Sequence, residues 1–204
     1  VAWQILNHLK SRMKKGMLYT DMGEGLEEER IRCKELVYDY NNTRPRESER
    51  RSELLKEILG TAGKNIFIEP PFHMAYGTNV HVGDNFYANF NLVIVDDIDV
   101  YIGDNVMIAP NVTISPTGHP VNPETRITGK QFSIPVTIED NVWIGANSVI
   151  LPGVKIGKNS VIGAGSVVTK DVPENVVAVG NPCRVLREIN DRDKGFYYKN
   201  MRIE

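Results

Sequence analysis

The sequence predicts a mainly β protein: a parallel β-helix of hexapeptide repeats, preceded by a helical segment and interrupted by one protruding loop. Two observations lead to this fold class. Branched apolar residues return every six positions over most of the chain, and Gly or Asn commonly follows them. A six-residue period is wrong for an α-helix and too short for an array of hairpins, but it gives one short strand and one corner per repeat.

The β-helix is predicted from pairs of the form V-x-I that recur at multiples of six residues. We call this set of positions the six-residue lattice. Their inward-facing residues are expected to stack on their equivalents one coil away, at a strand spacing of about 4.8 Å. The pairs are Val100/Ile102, Val106/Ile108, Val112/Ile114, Val136/Ile138, Val142/Ile144, Ser148/Ile150, Val154/Ile156, Ser160/Ile162 and Ser166/Val168. An earlier block has the same period but is displaced by two residues, with the slip near Asp96–Asp99. This block comprises Val80/Val82, Phe86/Ala88 and Leu92/Ile94.

Corners are predicted at the Gly and Asn residues between these pairs. Both residue types tolerate the left-handed backbone conformation that suits a sharp corner. We therefore expect left-handed backbone angles at glycines and asparagines alike. They include Gly103, Gly145, Gly157, Gly163, Asn105, Asn141 and Asn159.

Two amphipathic helices are predicted ahead of the β-helix. One face of the first comprises Leu26, Arg30, Cys33, Val37 and Tyr40, four of them apolar. The segment Asn41–Pro45 ends this helix. The second follows in ESERRSELLKEILG, with Gly60 as its C-terminal cap.

The polar segment 118–135 leaves the lattice and re-enters it in register, because residues 114 and 138 are four repeats apart. It is predicted to project from one corner as a loop, and loops on rigid scaffolds are where function concentrates. His119 lies at its base between Gly118 and Pro120, which present it rigidly. A histidine, with an unperturbed pKa of about 6.5, can serve as a neutral general base. The alternative is a histidine that only shapes the loop.

Composition argues against several classes of function. The chain has 204 residues, 41% of them hydrophobic, and a net charge of −2, which disfavours general binding of nucleic acid or of a membrane surface. It contains no run of 18 apolar residues and no signal-peptide pattern. Its two cysteines, Cys33 and Cys183, favour a reduced cytoplasmic protein over a disulfide-bonded one. An anionic ligand would need a local cluster of Lys and Arg.

Five motifs stand out beside the lattice. They are DMGEGL (21–26), YANFNLVIVDD (87–97), TGHP (117–120), VWIGANSVILPGVKIGKNSVIGAGSVVTKD (142–171) and GNPCRVLREI (180–189). Together they closely resemble the galactoside and maltose O-acetyltransferases, which are hexapeptide-repeat acyltransferases, and the resemblance covers residues 13–204. It implies a left-handed β-helix and a homotrimer with active sites between subunits. It also implies acetyl-CoA as donor, a sugar hydroxyl as acceptor and no catalytic metal.

The resemblance also implies roles for single residues. His119 would remove the proton of the acceptor hydroxyl, which attacks acetyl-CoA directly without a covalent acyl-enzyme. The backbone amide of Ala146, where relatives often carry Ser, would stabilise the oxyanion. Trp143 would either pack on the pantetheine arm or simply cover a strand face. The residues implied to bind acetyl-CoA are Ala146, Ala164, Thr169, Lys170, Arg184 and Arg187.

Five positions are implied to bind the acceptor: Asp21, Arg30, Ala75, Asn89 and Asp97. Carboxylates and amides bind sugar hydroxyls through directional hydrogen bonds. Asp97 lies at the slip in the lattice, where a side chain can point away from the interior of the β-helix. Asp21 and Arg30 belong to the N-terminal helical segment, which would then cover the site. Ala75 replaces a residue that can be Ser in relatives, so only its backbone is available. For Asp21, the alternative role is a helix N-cap.

Three other functions remain open. One is a related acyltransferase for serine, an antibiotic or another sugar. Another is a zinc enzyme of the γ-carbonic-anhydrase kind, for which His73, His81 and His119 are present, but no histidine follows His119 to complete the usual pair. The third is a non-catalytic scaffold, which the TGHP motif and the basic C-terminal cluster argue against.

Four segments are therefore expected. Residues 1–12 form an extension without an assigned role, and residues 13–62 a helical segment that contributes to the acceptor site. Residues 63–189 form the acetyltransferase β-helix with its external loop 118–135, and residues 190–204 form a C-terminal tail.

Overall fold

The structure is a computed structural model that describes residues 2–22 and 25–204. Gly23 and Glu24 of the DMGEGL motif lie outside the described residues, as does Val1. The N-terminal helices are α1 (Ala2–Lys14), α2 (Leu26–Asn41) and α3 (Ser48–Ile58). The predicted boundary after residue 12 falls inside α1, whose Met13 packs with Tyr19 and Ile98.

Helices α2 and α3 cover one end of the β-helix. Leu26, Cys33, Val37 and Tyr40 of α2 are buried, as the predicted apolar face requires. The prediction of Gly60 as a helix cap is wrong, because α3 ends with Leu59 in an extended conformation. Glycine is required at position 60 for another reason: a Cβ there would come within 2.1 Å of the carbonyl oxygen of Thr78.

Short parallel strands form three faces of a β-helix of about six coils, which confirms the predicted fold class. In chain order the strands of the first coils are β1 (Thr61–Ala62), β2 (Phe67–Ile68), β3 (Phe72–Met74), β4 (Val80–Val82), β5 (Tyr87–Ala88), β6 (Leu92–Ile94), β7 (Val100–Ile102), β8 (Met107–Ile108) and β9 (Thr113–Ile114). The loop contributes β10 (Thr117–Gly118), α4 (Pro123–Arg126) and β11 (Phe132–Ser133). The later strands are β12 (Val136–Ile138), β13 (Trp143–Ile144), β14 (Val149–Ile150), β15 (Lys155–Ile156), β16 (Val161–Ile162), β17 (Val167–Val168) and β18 (Val176–Val179).

The first face contains β1, β4, β7, β12 and β15; the second contains β2, β5, β8, β13, β16 and β18; the third contains β3, β6, β9, β14 and β17. We call the turn from the second to the third face the second corner, and the turn from the third face to the next coil the third corner. The lattice residues that were predicted to face inward are buried, for example Ile108, Ile144 and Ile162. The core is therefore a stack of Ile and Val side chains running along the helix axis.

Strand register shows that insertions collect at the third corner. Successive partners on the first face, Thr61, His81 and Tyr101, are 20 residues apart, whereas Thr137 and Lys155 are 18 apart. One two-residue insertion is the predicted slip at 95–99. The other lies at 75–79 and was missed. The regular coil has 18 residues. Two successive coils therefore bulge outward at the third corner, and the loop leaves the same corner on the next coil.

Asparagine and glycine have different roles at the corners. A ladder of side-chain amides joins successive coils, with each Nδ2 donating to the Oδ1 of the next at 2.7–3.0 Å. Its members are Asn65, Asn85, Asn105, Asn141, Asn159 and Asn175, and all have a positive φ. The expectation of left-handed angles at Gly103, Gly145, Gly157 and Gly163 is wrong. These glycines are needed because a Cβ would come within 2.2–2.5 Å of the neighbouring coil.

The loop re-enters the scaffold in register, as predicted. β10 and β11 pair antiparallel and close its base, while Val136 still pairs with Val100. At the other end, β18 pairs antiparallel with β19 (Arg184–Glu188). The tail continues through α5 (Arg192–Gly195), β20 (Phe196–Tyr198) and β21 (Met201–Arg202). No helix in residues 2–22 and 25–204 is long and apolar enough to cross a membrane.

Candidate active site

Five of the predicted site residues lie along the third corner. Ala75, Asp97 and His119 follow β3, β6 and β10 on three successive coils, and Thr169 and Lys170 follow β17 two coils further on. This clustering arises because parallel strands of one face end at the same edge. The insertions at 75–79 and 95–99 and the loop all widen this edge.

His119 is exposed at the base of the loop, directly after β10. Its Nδ1 lies 3.0 Å from the backbone carbonyl oxygen of Lys130 on the returning arm of the loop. A carbonyl oxygen only accepts, so Nδ1 carries the proton in this contact, and the lone pair of the neutral ring is on Nε2. The absence of a Cβ at Gly118 leaves room for the Phe132 ring, which would otherwise lie within 2.8 Å of it. When the imidazole is neutral, this arrangement makes Nε2 the nitrogen that can act as a base.

A buried hydrogen-bond network anchors the loop to the N-terminal segment. Tyr19 and Gln131 exchange two backbone hydrogen bonds of 2.9 and 3.0 Å. The Tyr19 hydroxyl lies 2.6 Å from Ser133 Oγ, which in turn lies 2.8 Å from Thr117 Oγ1, and Gln131 Nε2 donates to Tyr19. Burial raises the pKa of Tyr19 to about 12, so the phenol stays protonated and able to donate. The N-terminal segment therefore fixes the returning arm that holds His119.

The predicted acceptor residues Asp21 and Arg30 form an ion pair of 2.5 Å over the third corner. Arg30 Nη1 also lies 3.4 Å from the hydroxyl of buried Tyr76. Asp97 is buried beneath them, 3.5 Å from Gln131 Nε2, and burial raises the pKa of its carboxyl group. Tyr76 and Asp97 line a cavity of about 200 Å³ between α1, α2 and the β-helix. The side chain of Asp21 is thus engaged with Arg30, and α2 begins only at Leu26.

The two insertions at the third corner are tied together by Asp96, which sequence reasoning missed. Its side chain is fully buried, and Oδ1 accepts hydrogen bonds from the backbone amides of Ala75 and Tyr76 at 2.8 and 3.0 Å. Oδ2 has no hydrogen-bond partner among the described residues. Burial raises the pKa of Asp96 to about 6, despite the hydrogen bonds that lower it.

Asp96 is expected to make stability fall as pH rises. Between about pH 4, where an unfolded Asp ionises, and pH 6, the folded state holds a proton that the unfolded state has lost. At about 1.4 kcal/mol per pKa unit, this group lowers the free energy of unfolding by about 3 kcal/mol across that window. Urea denaturation of wild type and Asp96→Asn at pH 4.5 and 7 measures the effect, with exposed Asp39→Asn as the control. An unchanged pH dependence in Asp96→Asn would contradict the assignment.

The remaining predicted residues lie elsewhere in the same chain. Asn89, Ala146 and Ala164 lie at the second corner, after β5, β13 and β16. Ala146 and Ala164 are neighbours on adjacent coils, since the Gly165 amide donates to the Ala146 carbonyl at 2.8 Å. The two arginines that are predicted to bind the cofactor, Arg184 and Arg187, lie on β19 at the end of the second face. One chain therefore presents its predicted site residues in two groups, on opposite edges of the third face.

Other clusters lie apart from this corner. A cavity of about 580 Å³ on the first face is lined by residues that include His81 and Tyr101, and it contains none of the predicted site residues. His73 lies outward on the third face, and His81 pairs with Asp99 at 2.8 Å. In residues 2–22 and 25–204, no group of three or more His, Cys, Asp or Glu side chains is arranged to hold a metal ion. The three histidines considered for zinc lie on different faces or corners.

Comparison with known proteins identifies the family. A family model described as the maltose acetyltransferase hexapeptide capping motif matches residues 12–63, and one described as the hexapeptide repeat of succinyl-transferase matches residues 135–170. The chain is 59% identical to galactoside O-acetyltransferase of Escherichia coli (strain K12), covering 96% of this chain and 97% of that protein.

Solved structures agree with the sequence relatives. A galactoside acetyltransferase in complex with coenzyme A superimposes with a TM-score of 0.94 and 57% identity, over 96% of this chain and 98% of that one. A maltose O-acetyltransferase from Clostridium difficile 630 gives a TM-score of 0.88 and 48% identity, over 90% and 98% of the two chains. The chain therefore belongs to the galactoside and maltose O-acetyltransferase family of hexapeptide-repeat acyltransferases.

Proposed function

We propose that the protein transfers the acetyl group of acetyl-CoA to a hydroxyl group of a galactoside, maltose or a similar sugar, with His119 as general base. The observation that carries this proposal is the Nδ1 contact of His119 with the Lys130 carbonyl. In the neutral imidazole this contact selects the tautomer with the lone pair on Nε2, at the corner where the proposed acceptor residues converge. The relatives named galactoside and maltose acetyltransferase support the choice of donor and acceptor.

The proposed reaction is a direct transfer. His119 Nε2 takes the proton of the sugar hydroxyl as its oxygen attacks the thioester carbonyl. The tetrahedral oxyanion then collapses, the C–S bond breaks, and the imidazolium returns the proton to the departing thiolate. Asp21, Arg30 and Asp97 would hold the other sugar hydroxyls, and the backbone of Ala75 faces the same corner.

The second group of residues suits the donor. The amide of Ala146 makes no hydrogen bond within the described part of the chain, whereas its neighbours Gly145 and Asn147 donate across coils. A free amide is what an oxyanion donor requires. Ala164, Thr169, Lys170, Arg184 and Arg187 would line the path of acetyl-CoA, where the cations complement its phosphates.

A homotrimer would join the two groups, since a second copy could place its second corner, with Asn89, against the third corner of the first. An exposed apolar row on the second face supports such packing. Phe67, Tyr87, Met107, Trp143 and Val161 are in register across five coils. Phe67, Met107 and Trp143 are 41%, 53% and 52% exposed. A contiguous apolar row of this kind indicates a surface that another protein covers, which favours strand-face packing for Trp143.

The cysteines are compatible with a reducing compartment, which we propose is the cytoplasm. Cys33 and Cys183 are both free and buried. Burial raises the pKa of Cys33 to about 12 and also raises that of Cys183, so both thiols stay protonated. Neither thiol is poised to form a disulfide.

The acceptor class is tested by following thiol release from acetyl-CoA with galactosides, glucosides, maltose, glucosamine and serine. Sugar-dependent release is the expected result.

The matched variant is Arg30→Met, which keeps the length of the side chain but loses the pair with Asp21. It should raise KM for the sugar roughly tenfold with little change in KM for acetyl-CoA, because a charge-assisted contact contributes about 1.5–3 kcal/mol. If serine supports thiol release and no sugar does, or if none of the tested acceptors supports it, a sugar acceptor is rejected.

A further inference from the structure

The side chain of Asp96 takes the place of a backbone hydrogen bond between two coils. On the third face, the residue that follows β6, β9 or β14 donates its amide to a backbone carbonyl on the next coil. These donors are Val95, Ser115 and Leu151, with N–O distances of 2.9, 2.9 and 3.1 Å. Ala75 has the equivalent position after β3, because Met74 pairs with Ile94. Its amide donates instead to Asp96 Oδ1, at 2.8 Å.

Asp96 contacts the insertion at 75–79 at both of its ends. Oδ1 also accepts a hydrogen bond from the Tyr76 amide at 3.0 Å, and the backbone carbonyl of Asp96 accepts one from Asn79 Nδ2 at 2.7 Å. The Asp96 side chain is fully buried. A side chain without an acceptor would leave the amides of Ala75 and Tyr76 unpaired, which is unfavourable in a folded protein. The conformation of the insertion therefore depends on this one oxygen.

The insertion in turn supports the proposed acceptor residues. The buried Tyr76 places its hydroxyl 3.4 Å from Arg30 Nη1, and the Arg30 guanidinium lies 5.9 Å from the centre of the Tyr76 ring. Arg30 forms the ion pair with Asp21. Asp97, the residue after Asp96, lines the same cavity as Tyr76. The Arg30 side chain thus packs on a ring whose own backbone is held by Asp96.

We propose that Asp96 is a positioning residue for the acceptor sugar: its Oδ1 fixes the backbone of Ala75 and Tyr76, and Tyr76 fixes the guanidinium of Arg30. The inference rests on the proposed function, because it assumes a sugar acceptor at the third corner. Asp96 does not touch the sugar, since its side chain is buried. Oδ2 has no hydrogen-bond partner among the described residues, so an asparagine at this position keeps the oxygen on which the proposal depends.

Steady-state thiol release with the most active sugar of the panel compares wild type with Asp96→Leu and Asp96→Asn. Asp96→Leu removes the acceptor oxygen and should raise KM for the sugar roughly tenfold, while KM for acetyl-CoA stays within about twofold of wild type. Asp96→Asn keeps an acceptor oxygen and should restore KM for the sugar to within about twofold of wild type. A general loss of structure would not distinguish the two substrates in this way.

Ser160→Ala is the matched control for lost stability. Ser160 is also buried, its Oγ accepts a hydrogen bond from the Val176 amide at 3.1 Å, and it lies directly before β16, outside the predicted site residues. This variant also loses a buried acceptor, so urea denaturation should show a lower free energy of unfolding. Its KM for the sugar should equal that of wild type.

Tyr76→Phe tests the same series of contacts with a smaller change, and it decides the question if Asp96→Leu does not fold. It removes only the hydroxyl near Arg30 and should raise KM for the sugar about threefold. In the Arg30→Met background, Tyr76→Phe should have no further effect on this KM, because Tyr76 acts through Arg30. A threefold increase in both backgrounds would overturn the proposal, since the hydroxyl would then act independently of Arg30.

The outcomes separate this proposal from the proposed function. If wild type releases thiol with no sugar, the sugar acceptor and the role of Asp96 are both rejected. If wild type acts on a sugar and Asp96→Leu has the same KM for it, only the positioning role is rejected. The role is also rejected if Asp96→Asn raises KM as much as Asp96→Leu, because the charge and not Oδ1 would then matter. An equal rise in KM for the sugar in Ser160→Ala would assign the effect to lost stability.

Discussion

Replacing His119 by alanine is expected to lower kcat for sugar acetylation roughly 10²- to 10⁴-fold, which is the usual contribution of a general base. Only Nε2 of His119 is available to take the acceptor proton, since Nδ1 is engaged with the Lys130 carbonyl. KM for acetyl-CoA should change little. Unfolding should also be unaffected, because His119 is exposed and belongs to neither hydrophobic cluster of the described residues.

The comparison uses wild type, His119→Ala and His8→Ala, the last being an exposed histidine on α1. Thiol release at saturating acetyl-CoA and sugar gives kcat, and thermal unfolding checks that each variant is folded. His8→Ala should match wild type in both assays. If His119→Ala retains activity within a few-fold of wild type, the histidine shapes the loop and another group removes the proton.

The second large effect is expected from Gly145→Ala, a change of one methyl group between two coils. A Cβ at this position would lie 2.5 Å from the Ala164 nitrogen, 2.8 Å from the Ile162 oxygen and 2.9 Å from the Ala164 Cα. All three are backbone atoms, so no side-chain rotation relieves the overlap and the coils must separate. We expect the free energy of unfolding to fall by about 3 kcal/mol, at the upper end for overpacked cores.

The same substitution should weaken acetyl-CoA binding, because Gly145 precedes Ala146 and abuts Ala164, the two alanines that are proposed to lie along the cofactor. Urea denaturation and CoA titration measure the two effects. Gly195→Ala is the control for stability, since a Cβ there meets nothing within 4 Å and its φ is not positive. If Gly145→Ala and Gly195→Ala have equal free energies of unfolding, the coils accommodate the methyl group without loss of stability and the prediction is wrong.

Much of the scaffold could be predicted because the same hexapeptide pattern, which specifies one strand and one corner, recurs many times in the sequence. The spacing of Ile108, Ile144 and Ile162 fixed which side chains face inward. The insertion at 75–79 was not predicted. The strand before it carries Phe72 and Met74 rather than a V-x-I pair, so the position of the repeat before the insertion could not be compared with its position afterwards. The role of Gly145 was misassigned, since a sequence shows that a glycine is present but not which neighbouring backbone requires it.

The candidate site could be predicted less completely than the fold. His119, Asp97 and Arg30 were found through the resemblance to a family. The position of Asp97 at the third corner follows from the strand order, whereas Arg30 reaches it from α2. Tyr76 and Asp96 were missed because their importance arises from contacts between coils 20 residues apart. A buried carboxylate with one partnerless oxygen has no signature in a single sequence.

The in-register return of the loop has a consequence for how such enzymes diversify. Because Val136 pairs with Val100 as if residues 118–135 were absent, the length and composition of the loop are decoupled from the scaffold. Natural variation or a designed graft can exchange the segment between Pro120 and Lys130 without shifting a single strand. A change in this stretch can therefore alter the surroundings of His119 while the strands of the β-helix keep their register.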